Sequence, residues 1–159
     1  MTDDDVLLVV VDPGEDDAVH CLREYYAELD RRFDAGYDPD AALPLPLDEM
    51  RPPVGRFLLA RRGGEPVGCG ALKLHGEEPA EIKRMWVGAE ARGLGLGRRI
   101  LGELERLATE AGAPAVQLET NRALPEAIAM YRTSGYDEVS AFNDEPYGHH
   151  WFRKRLDRT

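Results

Sequence analysis

The stretch Arg92-Gly93-Leu94-Gly95-Leu96-Gly97-Arg98 joins a predicted strand to a predicted helix through evenly spaced glycines. Glycine lets a backbone approach a ligand closely, and the first turn of a helix offers free N–H groups and the positive end of the helix dipole. The stretch therefore predicts a phosphate-binding turn. On spacing alone, a glycine-rich turn that only starts a helix is the alternative.

Two common phosphate motifs fit this stretch less well. A P-loop needs Lys and then Ser or Thr after its last glycine, whereas Arg98 and Arg99 follow Gly97. The dinucleotide pattern Gly-x-Gly-x-x-Gly needs uneven spacing, but Gly93, Gly95 and Gly97 alternate. A nucleotide or dinucleotide binder is therefore a weaker alternative.

The apolar pattern on both sides of the turn predicts strands and helices of one domain, residues 1–159. Val6 to Val11 is a continuous apolar run, which is typical of a buried strand. The predicted strands cover 6–11, 56–61, 66–74, 80–87, 115–119, 136–141 and 149–155. The predicted helices run from Asp16 to Gly36, from the glycine turn to Gly112 and from Pro125 to Gly135, and a proline-rich loop at 37–55 holds a helical turn near 48–50.

The composition indicates an acidic globular protein. Of the 159 residues, 43% are hydrophobic and 31% are charged, and the formal net charge is -10. Phosphate-rich partners require a basic surface, so we expect no nucleic-acid partner and no membrane partner. No apolar run could span a bilayer, and Met1 to Asp5 is acidic where a secretory signal would be basic, so we expect a cytoplasmic protein.

The cysteines and histidines predict neither a disulfide nor a metal site. Cys21 and Cys69 lack paired spacing, so we expect both to be small core residues. His149 and His150 are adjacent on a predicted strand and would point to opposite faces. No metal is therefore expected.

A second informative segment lies downstream of the glycine turn. Residues 127–136, Ala-Ile-Ala-Met-Tyr-Arg-Thr-Ser-Gly-Tyr, follow Leu118-Glu119-Thr120-Asn121. Together with Arg92-x-x-Gly95-x-Gly97, which follows the strand 81–87, they resemble two conserved blocks of the GNAT N-acetyltransferase superfamily. The resemblance implies a single-domain α/β (α+β) fold with a mixed, mostly antiparallel sheet flanked by helices, and acetyl-CoA as the cosubstrate.

The resemblance also implies which residues hold acetyl-CoA. Backbone amides in the turn would hold its pyrophosphate, and the main chain around Met85 and Val87 would pair with the pantetheine arm like an added strand. One N–H of Met85 or Val87 would face the thioester oxygen. The full expected set is Met85, Trp86, Val87, Arg92, Gly93, Leu94, Gly95, Leu96, Gly97, Arg98 and Asn121.

Acetyl transfer to an amine needs a base and an acid. Glu81 resembles the family's base or water-relay carboxylate, and the strand period places it on one face with Lys83, Met85 and Val87. A solvated strand-end carboxylate is the alternative for Glu81. Tyr131 occupies the family's acid position, where it would protonate the departing thiolate, and a core tyrosine is the alternative.

The acceptor is not encoded in a recognisable motif. By analogy with the family, Tyr25, Tyr26 and Tyr37 would line its pocket. The acidic residues Asp137, Glu138, Asp144 and Glu145 would receive a cationic acceptor, and a solvated loop is the equal alternative for them. We expect direct transfer to a primary amine, with small amines, amino acids, antibiotics, polyamines and protein termini all open. Transfer to oxygen, transfer of longer acyl groups and a homodimer also stay open, and a non-catalytic CoA-binding sensor is the alternative from a different class.

Overall fold

The computed structural model describes residues 5–156. Residues 1–4, which belong to the acidic start that argues against a secretory signal, and residues 157–159 lie outside that range. The strands of the described part are β1 (Val6–Val11), β2 (Gly55–Arg62), β3 (Glu65–His75), β4 (Glu78–Val87), β5 (Ala115–Thr120), β6 (Asp137–Val139) and β7 (His150–Arg155). Its α-helices are α1 (Asp16–Arg32), α2 (Leu96–Glu110) and α3 (Pro125–Thr133), and short 3-10 turns occupy Leu47–Met50 and Ala89–Ala91.

The strands form one seven-stranded sheet in the order β1-β2-β3-β4-β5-β7-β6. The pair of β4 and β5 is parallel and the other pairs are antiparallel. This mixed, mostly antiparallel sheet with flanking helices confirms the predicted fold class. The hairpin between β2 and β3 turns at Gly63 and Gly64, whose φ angles of 58° and 86° suit a tight two-residue turn.

Helices cover both faces of the sheet. The apolar stripe of α2, which includes Ile100, Leu101 and Leu104, packs on one face as its three- and four-residue spacing predicts. On the other face, α1 buries Cys21 against Cys69 of β3, so both cysteines are core residues, as expected. Within residues 5–156, none of the helices combines the length and the apolar character that a membrane crossing requires.

The burial predicted for β1 is wrong, although its bounds are correct. Leu7 is 66% exposed and Val10 is 45% exposed, whereas Val6 is buried. These side chains are exposed because β1 lies at the end of the sheet and pairs with β2 alone among the described strands. A run of valines and leucines therefore does not distinguish an edge strand from a central one.

A β-bulge in β4 changes which residues share a face. Lys83 pairs with Ala71 and Trp86 with Cys69, so Arg84 and Met85 together stand opposite one residue of β3, and Arg84 has φ 58°. As a result Met85 packs in the core below α2, while Trp86 packs on the α1 side. The expectation that Glu81, Lys83, Met85 and Val87 share one face is therefore wrong, because the bulge interrupts the two-residue period.

The parallel strands β4 and β5 separate soon after they meet. They pair only at Ala80 with Val116 and at Glu81 with Gln117. From Lys83 to Val87 the edge of β4 that faces β5 lacks a strand partner within the described part of the chain. The resulting gap opens next to the first turn of α2 and to α3, and this gap positions the candidate site.

Candidate active site

Two cavities meet at the gap between β4 and β5. The larger, about 820 Å³, lies along the end of β4 and the first turn of α2, and we call it the turn cavity. The smaller, about 110 Å³, lies between the separating strands, and we call it the splay cavity. The residues that line both are Tyr25, Leu29, Met85, Leu124, Ala127 and Tyr131.

The first turn of α2 presents free backbone N–H groups to the turn cavity. Gly95 caps the helix in the left-handed region with φ 75° and offers no side chain to the helix end. The bond from Arg99 N to Gly95 O, at 3.2 Å, opens the helix, so the N–H groups before Arg99 have no helical partner. These donors and the helix dipole favour an anion here.

Gly97 keeps the turn cavity open and its wall closely packed. A Cβ atom at this position would lie 3.2 Å from the sulfur of Met130, which is tighter than an ordinary contact. Glycine therefore lets α2 approach α3 directly beside the free N–H groups. A phosphate cradle requires this close backbone approach.

Four arginines outnumber the two carboxylates, Glu28 and Glu126, at the rim of the turn cavity. Arg31, Arg32, Arg92 and Arg98 all line it. The guanidinium of Arg98 donates to Thr133 Oγ1 at 2.7 Å and to Ser134 Oγ at 3.0 Å, and that of Arg92 pairs with Glu28. Sequence reasoning missed Arg31 and Arg32, whose only signal is the basic last turn of α1.

Most of the residues predicted to hold the cosubstrate line the turn cavity. They are Met85, Trp86, Val87, Arg92, Gly93, Gly95, Leu96, Gly97 and Arg98. Leu94 does not line it, and Asn121 lines the splay cavity instead. The Asn121 amide donates to Tyr147 O at 2.9 Å and accepts from Ala123 N at 2.8 Å, so it holds two loops together.

The end of β4 directs main-chain groups into the turn cavity. Gly88 N donates to Val67 O of β3 at 2.8 Å, so by strand alternation the preceding Val87 faces the open edge. The Val87 carbonyl there accepts from Arg92 Nε at 3.1 Å. An extended polar ligand can therefore form main-chain hydrogen bonds with this edge, as an added strand does.

A row of charged groups borders the splay cavity. Lys83 Nζ lies 3.2 Å from Glu119 Oε1 and 3.3 Å from Glu81 Oε2, and His75 Nε2 lies 2.7 Å from Glu81 Oε1. Lys83 and Glu119 line the cavity, but Glu81 does not. Glu119 is a residue that sequence reasoning did not select, although it lies in the quoted segment before Asn121.

The environment of Glu81 makes it a weak base. Burial raises the pKa of this carboxyl, but the charges and hydrogen bonds of Lys83 and His75 outweigh burial and hold the pKa below its usual value. A carboxylate with a low pKa stays ionised near neutral pH and accepts a proton only briefly. The structure therefore places Glu81 behind Lys83, one ion pair away from the cavity.

Tyr131 lies where the two cavities join. Its side chain is 6% exposed and its ring packs on Tyr136 and Phe152 at centroid distances of 5.8 Å. Burial raises the pKa of its hydroxyl, and the charge of Glu119 raises it further. The phenol is therefore protonated at neutral pH and can donate a proton or hydrogen bond into the junction.

Aromatic rings form the outer wall of the splay cavity. Tyr25, Phe33, Tyr37 and Tyr147 line it, with Tyr37 and Tyr147 at 4.7 Å between centroids. Tyr26, also expected at the acceptor pocket, does not line the cavity but stacks behind Tyr37 at 5.9 Å. The wall joins α1 and the following loop to the loop before β7.

Among the acidic residues of the 137–145 segment, Glu145 lines the splay cavity. Its two carboxylate oxygens accept from Leu43 N and Tyr147 N, each at 3.2 Å. The carboxylate therefore holds the surrounding loops. Both oxygens of Glu145 are therefore used to stabilise the loop structure around the cavity.

Comparison with known sequences identifies relatives. A model of the acetyltransferase (GNAT) family matches residues 20–136. The "IAA acetyltransferase" of Azospirillum brasilense is 41% identical over 122 residues, which cover 76% of this chain and 78% of the relative. The uncharacterized N-acetyltransferase YjgM of Escherichia coli K12 is 30% identical over 128 residues, covering 74% of this chain and 73% of the relative.

Solved structures share the fold. A GNAT family acetyltransferase of Staphylococcus aureus matches with a TM-score of 0.77 at 18% identity, over 96% of this chain and 99% of that chain. A GNAT family acetyltransferase of Elizabethkingia anophelis, solved with acetyl-CoA bound, matches with a TM-score of 0.66 at 16% identity, over 96% and 99%. The chain therefore belongs to the acetyltransferase (GNAT) family and is an acetyltransferase.

Proposed function

We propose that this protein transfers the acetyl group of acetyl-CoA directly to a primary amine, in a complex that holds both substrates at once. The observation that carries the proposal is the junction of the two cavities at Tyr131. A donor in the turn cavity and an acceptor in the splay cavity would meet there. No covalent acetyl-enzyme is then required.

The turn cavity fits acetyl-CoA in charge and shape. The free N–H groups between Gly95 and Arg99, with the rim arginines, would hold the pyrophosphate. The unpaired edge of β4 at Met85 and Val87 would receive the amide-rich arm. When bound, acetyl-CoA supplies the thioester carbonyl that the amine attacks.

The two carboxylates of the charged row, Glu119 and Glu81, would contribute differently to deprotonation of the amine. An alkylammonium has a pKa near about 10, so it must lose a proton before it attacks. Glu119, at the cavity wall, would take this proton directly or through water. Glu81, the base predicted from sequence, would act indirectly and not contact the amine. Its carboxylate shares the Lys83 ammonium with Glu119 and also contacts His75, which lies near the surface.

Tyr131 would act as the acid. As the new C–N bond forms and the C–S bond breaks, its hydroxyl would give a proton to the departing thiolate and regain one from water. Taken alone, the raised pKa of Tyr131 makes proton transfer to the thiolate less favourable. Burial also disfavours the thiolate in the same place, which offsets part of that cost.

Initial rates test the proposal of direct transfer. With acetyl-CoA and amine concentrations both varied, an enzyme that binds both substrates gives intersecting double-reciprocal lines. Parallel lines would indicate an acetyl-enzyme and would contradict the proposal. Calorimetry with acetyl-CoA separates the cosubstrate-binding part, because absence of binding at millimolar concentration removes the role of the turn cavity.

A non-catalytic CoA-binding sensor predicts a different result. It would bind acetyl-CoA in the turn cavity but release no thiol with any amine. The splay cavity and the charged row beside it favour the enzyme, since a sensor needs neither. A cytoplasmic location and a homodimer stay predictions from sequence, to be checked by fractionation and light scattering.

A further inference from the structure

The bulge in β4 directs Arg84 into the splay cavity. Arg84 has φ 58°, a left-handed conformation that is unfavourable for a residue with a side chain. The residue lines the cavity and is only 8% exposed. Backbone strain of this kind persists where the surrounding structure requires it, and it is frequent at binding sites.

The guanidinium of Arg84 has no counter-ion among the residues that the structure describes. Within residues 5–156 no ion pair includes Arg84, and its buried Nε has no hydrogen-bond partner. The guanidinium instead lies among tyrosines: its carbon is 5.8 Å from the centroid of the Tyr26 ring, and the Tyr26 side chain is also a hydrogen-bond partner. A buried unpaired charge is costly, and a buried polar group without a partner calls for an explanation.

The other cation of the cavity is already neutralised. Lys83 lies between Glu81 and Glu119, within 3.3 Å of both. Arg84 does not line the turn cavity, so it is not part of the rim that suits the CoA phosphates. The unsatisfied positive charge therefore belongs to the space where the acceptor would sit.

We propose that the acetyl acceptor is an amine that carries a carboxylate, of the α-amino acid type, and that Arg84 binds this carboxylate. A guanidinium fork matches a carboxylate with two parallel hydrogen bonds. With Glu119 at the wall for the ammonium group, the splay cavity carries both charges of a zwitterion. The cavity volume of about 110 Å³ and its aromatic wall suit a small molecule. This inference rests on the proposed function.

The experiment compares matched substrates. CoA release from acetyl-CoA is measured with each standard L-amino acid and with the amine that lacks its α-carboxylate, for the wild type and for Arg84→Gln, Arg84→Lys and Arg106→Gln. The readout is the ratio of kcat/KM within each pair. This ratio cancels any loss of folded enzyme in a variant.

We expect the wild type to prefer an amino acid over its matched amine by about 10²-fold, because a charge-assisted contact is lost in the amine. Arg84→Gln should bring the ratio close to one, mainly through KM of the amino acid. Arg84→Lys should give an intermediate ratio, and Arg106→Gln, an exposed change on α2, should keep the wild-type ratio.

Two results would overturn the inference while leaving the proposed function intact. In one, simple amines release CoA and no amino acid does so. In the other, an amino acid is acetylated but its advantage over the matched amine survives Arg84→Gln. If no amine of either kind releases CoA, the proposed function fails, and this inference fails with it.

Discussion

At the scale of single residues, the most consequential placement is Tyr131 at the junction of the two cavities. Burial raises the pKa of its hydroxyl, so the phenol is protonated at neutral pH, as the proposed acid role requires. The ring packs on Tyr136 and Phe152, which fixes its direction. The proposed acid role and the packing would therefore use different parts of one side chain.

Tyr131→Phe separates these two contributions. The ring contacts are kept and the hydroxyl is lost, so we expect kcat to fall by about 10²-fold or more, as for the loss of a general acid. The Kd for acetyl-CoA, measured by calorimetry, should change little. A variant that turns over at the wild-type rate would remove Tyr131 from the acid role.

The two carboxylates of the charged row should differ in their effect on turnover. Glu119→Gln removes the group at the cavity wall, and we expect kcat/KM to fall by about 10²-fold or more. Glu81→Gln should lower it by about tenfold at most, the equivalent of one hydrogen bond. CoA release measures both, and the opposite order would return the base role to Glu81.

Glu81 should also affect stability in a pH-dependent way. Its folded-state pKa lies below the usual value of 4.5, so the ionised form stabilises the fold above that pH, and this contribution is lost as the pH falls through the folded-state pKa. Glu81→Gln should therefore be less stable than the wild type near neutral pH, and the gap should narrow on acidification.

Urea unfolding at a series of pH values measures that gap. The exposed Glu65→Gln serves as a matched control on the next strand, where we expect little effect. A gap for Glu81→Gln that grows as the pH falls would contradict the cause assigned to the lowered pKa.

At the scale of elements, the first turn of α2 is the part of the site that backbone conformation determines most strongly. Gly95 adopts φ 75° and Gly97 allows α2 to approach Met130. An alanine is strained at the first position and crowded at the second. Both effects act on the N–H groups that would hold a pyrophosphate.

Gly95→Ala should lower the free energy of unfolding by about 1–2 kcal/mol and weaken acetyl-CoA binding. Gly102→Ala is the matched control, because this exposed glycine of α2 has ordinary backbone angles and open space around it. The control should gain up to about 1 kcal/mol from helix propensity and keep its affinity. Equal loss of affinity in both variants would contradict the role of the turn.

The sequence predicted the elements well, because periodicity and glycine turns act locally. The glycines at 63, 64, 95 and 112 each end or start an element within about two residues of the predicted place. The bulge at Arg84 could not be predicted, since nothing in the residue types of β4 signals an extra residue. That single irregularity moved Met85 off the face of Glu81 and turned Arg84 into the splay cavity.

At the scale of the whole molecule, the site depends on contacts between segments far apart in sequence. The splay cavity joins α1, the loop after it, β4, β5, α3 and the loop before β7. Glu119, Tyr147 and Arg84 meet only because β4 and β5 separate after two paired positions. The residues selected from the sequence motifs therefore line the turn cavity more completely than the splay cavity.

The two cavities also differ in the charged groups that line them. The chain carries a formal net charge of -10, yet arginines outnumber carboxylates at the turn cavity, and the splay cavity is lined by Glu119 and by Arg84, which forms no ion pair within residues 5–156. Overall charge alone would favour a cationic acceptor. The local arrangement instead favours a zwitterion.

Thiol release shows whether this protein transfers acetyl groups from acetyl-CoA to an amine. The protein is incubated with acetyl-CoA and a panel of amines that includes the standard L-amino acids, and free CoA is measured against a sample without amine. We predict amine-dependent CoA release that Tyr131→Phe lowers by about 10²-fold. Release that no amine increases, despite calorimetric binding of acetyl-CoA, would contradict acetyl transfer to an amine and favour a sensor.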